Sequence, residues 1–72
     1  MTDNNMDILA LLKDTMRKKI ISARQQAGLS VLELADKCGW EENYLMLMEQ
    51  GKVEITPEIL ARVLDSTKYF QE

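Results

Sequence analysis

Residues 28 to 51 read Gly28-Leu29-Ser30-Val31-Leu32-Glu33-Leu34-Ala35-Asp36-Lys37-Cys38-Gly39-Trp40-Glu41-Glu42-Asn43-Tyr44-Leu45-Met46-Leu47-Met48-Glu49-Gln50-Gly51. Three glycines punctuate this stretch, and the segments between them carry helix signals. Ser30-Val31-Leu32-Glu33 is a capping box, in which the Ser30 hydroxyl and the Glu33 carboxylate each satisfy a free backbone amide at a helix start. A short helix is predicted from about Val31 to Cys38. Gly39 makes the turn, and Trp40 follows as a large apolar plug. A second short helix is predicted from near Glu41 to Gly51, with Tyr44, Leu45 and Met48 on one face.

Upstream, Asn5 to Ala27 contains neither Gly nor Pro. Ile8, Leu9, Leu12, Met16, Ile20, Ala23 and Ala27 recur there at helical spacing, which predicts one long amphipathic helix. Gly28 ends it as a left-handed cap. Downstream, Thr56-Pro57 places a capping residue before a proline suited to the first helical position. The helix it opens is predicted to reach about Asp65 and to bury Ile59, Leu60, Val63 and Leu64. Strand signals are missing throughout. The expected fold class is all-α: a compact bundle of four to five helices in a single domain over residues 1–72, with residues 1–15 as an N-terminal helical extension and 66–72 as a short tail that either adds a turn of helix or lies loosely with Tyr69 and Phe70 against the core.

Composition narrows the function. A chain of 72 residues makes one small domain, which buries only about 60% of its unfolded surface. Nine Lys and Arg stand against twelve Asp and Glu, a net charge of -3. The imbalance is local: residues 1–28 carry five bases and three acids, residues 29–72 four bases and nine acids. Any basic face therefore belongs to the first helix.

With one cysteine, Cys38, and no histidine, the chain offers no intramolecular disulfide, no plausible zinc site and no histidine general base. Cys38 reads as a small packed residue near the turn. No catalytic residue, metal or cofactor is expected, and the chain reads as a non-enzyme. The longest apolar run, Ile8 to Leu12, is too short to cross a bilayer, and Asp3 and Asp7 stand where a signal peptide is basic. The expectation is a cytoplasmic protein with no membrane partner and no small-molecule substrate.

Arg24, Gly28-Leu29-Ser30, Glu33-Leu34-Ala35, Gly39, Tyr44-Leu45 and Glu49-Gln50-Gly51-Lys52, followed by an apolar helix after Pro57, resemble the phage repressor and Cro type of helix-turn-helix domain over roughly Ile20 to Leu64. The resemblance implies that the first residue of the second helix and the outward residues of the third face the target. These are Val31, Glu41, Glu42, Asn43, Met46 and Leu47. Members that bind DNA often carry Gln, Ser, Arg, Lys or Asn at such places, and only Asn43 keeps that character.

Electrostatics explains why the departure matters. A carboxylate 4 Å from a phosphate is repelled by about 1 kcal/mol in water and by more where water is excluded. Met46 and Leu47 can touch a thymine methyl but cannot read base edges by hydrogen bonding. An apolar centre with an acidic rim suits a protein interface better. A basic surface is the natural partner, and the DNA-binding face of a repressor is one.

Size, charge and the changed third helix together resemble the small antirepressors, or modulators of repression, of temperate phages of Gram-positive bacteria. The function this implies is control of a phage genetic switch in the bacterial host cell. The chain would bind the N-terminal DNA-binding domain of a CI-like repressor and mask its DNA-binding surface, with DNA bound weakly or only as part of a complex. The alternative is a Cro-like DNA-binding repressor that contacts its operator through helix one or as a dimer.

Several of these residues also have plainer roles. Arg24 and Glu49 read as a structural ion pair between helices one and three, and Gly28, Gly39, Trp40 and Tyr44 as structural. Glu41 and Glu42 would stabilise a helix start by roughly 0.3 to 1 kcal/mol each. Arg17, Lys18 and Lys19 form either a solvated face or a secondary contact. Ile8, Leu9, Leu11, Leu12 and Met16 exceed what one stripe needs, so they self-associate, enter a partner's groove, or pack beneath the fourth helix and the tail.

Overall fold

A computed structural model of the chain describes residues 4–67. It contains four helices: α1 (Asn4–Gln26), α2 (Val31–Cys38), α3 (Glu42–Glu49) and α4 (Pro57–Thr67). The described residues are otherwise turns and loops, so the all-α expectation holds. Residues 68–72, and with them the proposed packing of Tyr69 and Phe70, lie outside the described range, as do Met1 to Asp3 of the extension.

Local chemistry accounts for the helix boundaries. The Ser30 hydroxyl accepts from the Glu33 amide at 3.1 Å, and the Glu33 carboxylate accepts from the Ser30 amide at 2.8 Å, which completes the capping box of α2. Gly39 stops α2 at φ 78°, in the left-handed region that costs a residue with a Cβ about 1–2 kcal/mol. The Thr56 hydroxyl accepts from the Ile59 amide at 3.2 Å, and α4 runs two residues beyond the expected Asp65.

The core is built from all four helices. Ile20 and Ala23 of α1, Leu34, Ala35 and Cys38 of α2, Leu45 and Met48 of α3, and Val63 of α4 are buried together. Leu29, Val31, Trp40, Val53, Ile55, Ile59, Leu60 and Leu64 pack around them. Helix α1 lies against α3 and α4, and α2 against α3 and α4. No polar or charged side chain is buried among the described residues.

Helix α1 outruns this core. At 1.5 Å per residue its 23 residues span about 34 Å, much of the molecule's 43 Å long axis. The row Leu9, Leu12, Met16, Ile20 passes from exposed (56% and 55%) through half-buried to fully buried. Packing of Ile8, Leu9, Leu11 and Leu12 beneath α4 is therefore not what the fold does. The core ends near Met16, and the first half of α1 extends past it.

Candidate protein-docking face on α3

Helix α3 buries one side and leaves the opposite side to solvent. Leu45 and Met48, three residues apart, fall on the inward side and are fully buried. At about 100° per residue, Asn43, Met46 and Gln50 fall on the other side and Glu42 at its edge, and all four are exposed. Glu41 precedes the helix as its N-cap in extended conformation and is exposed as well.

The Glu41 side chain makes no capping hydrogen bond. Among the described residues, neither Glu41 nor Glu42 forms an ion pair with a Lys or Arg. Their contribution to the helix is limited to the favourable field at its N-terminus, and both carboxylates remain open to a partner. No Lys or Arg occurs between Trp40 and Gly51. The face is acidic at its N-terminal end and apolar at Met46, which is 38% exposed.

Three residues depart from expectation. Val31 is half-buried and packs against the core, because the first turn of α2 is pressed onto the other helices, so it is not freely presented. Leu47 is half-buried, although the helical period sets it as far outward as Met46. Tyr44, read as core, is 37% exposed. It sits about 100° around the helix from Leu45, so the two cannot share the inward side fully. Its ring meets Trp40 edge-on, with centroids 5.6 Å apart. Trp40 itself is half-buried against the core.

Tyr44 and Gln50 therefore join the surface that α3 presents. The signal for Gln50 was its spacing, four residues beyond Met46 and seven beyond Asn43. On α2, Leu32 is 50% exposed, and a period that places Leu34 and Ala35 inward would have marked it.

Helix α1 holds α3 in place from behind. Arg24 Nε donates to Glu49 Oε2 at 2.7 Å and Nη2 to Oε1 at 3.1 Å. Arg17 Nη1 donates to the Glu49 carbonyl at 3.2 Å, placing a cation at the carbonyl end of α3. Arg17 Nη2 also bonds Asp14 Oδ1 at 2.6 Å, and Lys18 Nζ lies 3.2 Å from Asp14 Oδ2. The Arg17 hydrogen bond and the Lys18 contact hold the Asp14 carboxyl below its ordinary pKa. Arg17 is thus half-buried and structurally engaged, whereas Lys18 and Lys19 are exposed.

A groove of about 360 Å³ separates the first half of α1 from the loop before α4, with Lys13, Asp14, Arg17, Lys52 and Glu54 on its walls. Its charges are mixed, and no group of three or more potential metal ligands occurs among the described residues. Cys38 is buried with Sγ 3.4 Å from Ser66 Oγ, and burial pushes its thiol pKa up, away from reactivity. No described helix is long and apolar enough to cross a membrane. No protein-family model matches the chain, and no curated protein or solved structure matches it either.

Proposed function

We propose that this chain is a transcriptional regulator of the helix-turn-helix type that works by docking on another protein. The partner is the DNA-binding domain of a CI-like phage repressor, and α3 is the docking element. The observation that carries this reading is the outward side of α3, where two carboxylates without ion-pair partners flank an exposed methionine and no cation is present.

Physical chemistry favours a basic protein surface over DNA here. Glu41 and Glu42 occupy the helix end whose amide dipoles normally attract phosphate, and their charge repels it instead. A repressor's reading face is lined with cations held ready for phosphate. Glu41 and Glu42 offer those cations carboxylates, while Met46 adapts to an irregular apolar contact and Tyr44 and Leu47 extend it. Once covered, that face is closed to the operator, and repression is relieved.

The direct test titrates the protein into a fluorescent operator duplex, with and without the repressor, at low and physiological salt. Loss of the repressor's binding, with no binding by this chain alone, supports the proposal. Direct, salt-sensitive operator binding would overturn it in favour of a Cro-like repressor in which the exposed Lys18 and Lys19 supply the positive charge.

A further inference from the structure

We propose that Trp40, Glu41 and Tyr44 form an arginine-binding site, in which a guanidinium of the partner lies against the aromatic pair and turns its edge to the Glu41 carboxylate. This rests on α3 being a docking face, and it goes further by naming the side chain that is recognised and the residues that select it.

The first support is the aromatic pair. Trp40 and Tyr44 meet edge-on, with centroids 5.6 Å apart and planes at 88°, an arrangement in which the rings cover at most one of their four faces. Tyr44 is exposed, so aromatic surface is left to solvent. Trp40 is half-buried against the core, and its amide donates to the Ala35 carbonyl at 2.9 Å, which anchors the wall against which Tyr44 stands. Aromatic faces are electron-rich and attract cations, arginine more often than lysine.

The second support is charge complementarity, which identifies the occupant. Glu41 is the N-cap of α3 and Tyr44 the third residue of the helix, the two positions that reach one another in a capping box. The Tyr44 amide donates to the Glu41 carbonyl at 3.1 Å, whereas the Glu41 side chain makes no capping bond and no ion pair with a described Lys or Arg. An unengaged carboxylate thus stands within one helical turn of an exposed ring. The helix end contributes about half a positive charge, against a full negative charge from each of Glu41 and Glu42, so the site stays attractive to a cation. A guanidinium suits both parts at once, because it is flat, weakly hydrated and forked toward carboxylates; an ammonium is a strongly hydrated point charge.

The test titrates hexa-arginine and hexa-lysine, which carry equal charge, into the full chain, with affinity and location both read from amide and Trp40 indole NMR shifts. Hexa-arginine should bind about threefold or more tighter. Tyr44→Leu should abolish that preference and Tyr44→Phe should keep it, because the ring and not the hydroxyl is needed. Should Tyr44→Leu lose helicity by circular dichroism, Tyr44→Gln gives the same readout. Glu41→Gln removes no capping bond and should weaken hexa-arginine about twofold or more, a readout that leaves Tyr44 untouched.

Equal affinities, a preference that survives loss of the ring, binding undiminished in Glu41→Gln, or shifts centred away from Trp40 and Tyr44 each overturn the arginine site, and leave α3 free to dock through other contacts. An arginine preference that Tyr44→Leu abolishes, in a chain that leaves the repressor on its operator, supports the site and removes only the choice of partner.

Discussion

Arg24 clasps Glu49 across 25 positions of sequence with two nitrogens, at 2.7 and 3.1 Å, while its third donates to the Leu29 carbonyl at 3.0 Å. One guanidinium thus ties α1, the turn before α2, and the last turn of α3. Both side chains are mostly covered, at 16% and 11% exposure, so the fork is shielded from the screening that weakens surface pairs. Removing one partner leaves the other charge covered and unpaired. Arg24→Ala should cost about 2 kcal/mol, a fall of roughly 8–16 °C in Tm. Arg24→Lys should recover only part of this, because an ammonium cannot bridge both carboxylate oxygens. Thermal unfolding of the two variants checks both values.

The two sides of α3 should respond in opposite ways to truncation. Leu45→Ala opens a cavity at a fully buried position and should destabilise by about 3 kcal/mol. That is a large share of the roughly 4–10 kcal/mol expected for a domain of this size. Met46→Ala, at an exposed position, should change stability by under about 0.5 kcal/mol. Denaturant midpoints measure the contrast.

Partner binding should show the reverse order. Glu42→Arg should weaken repressor binding by at least about tenfold, since it sets a cation against a basic surface. Met46→Ala should lose about 1 kcal/mol, roughly fivefold. Met46 is a cleaner probe than Leu47, whose partial burial mixes folding with binding. Calorimetric titration against the repressor's DNA-binding domain gives both affinities, and unchanged values for both variants would remove α3 as the docking element.

Ser30→Ala deletes one half of the capping box and should cost about 1 kcal/mol. Gly39→Ala should cost about as much for a different reason. A methyl group there meets nothing within 4 Å, so the whole penalty comes from the left-handed backbone, φ 78°. Similar Tm losses in both, with partner binding intact, would confirm that these residues serve the fold alone.

Stability should decline at both ends of the pH range. Asp14 has a lowered pKa in the fold, held down chiefly by Arg17 and then Lys18. Its contribution is therefore present above the ordinary value of 3.8 and is lost as pH falls below it. Cys38 has a raised pKa because it is buried. Its contribution is complete below the unfolded value near pH 9 and is lost as pH rises beyond that. Unfolding midpoints across the range test both signs, and Cys38→Ala should flatten the alkaline limb.

What could be read from the sequence was what local chemistry controls. The Ser30–Glu33 box, the glycine at position 39 and the Thr56-Pro57 start act within a few residues of themselves, so helix boundaries followed to within about two residues. The outward placement of Asn43 and Met46 was legible for the same reason, since it depends only on the helical period once Leu45 and Met48 face inward.

The tertiary structure decided whatever depends on how far the neighbouring elements reach. Sequence periodicity runs unbroken from Leu9 to Ile20, yet identical spacing is exposed at Leu9 and Leu12 and fully buried at Ile20. Arg17 looked like one of three equivalent bases. Its bond to the Glu49 carbonyl, 32 residues away, takes it out of the basic surface. Tyr44 shares the period of Met48 but lies at the edge of the packed side, against Trp40, and so stays exposed. Helical period determines which residues share a side; the extent of the core against that side determines which of them are covered.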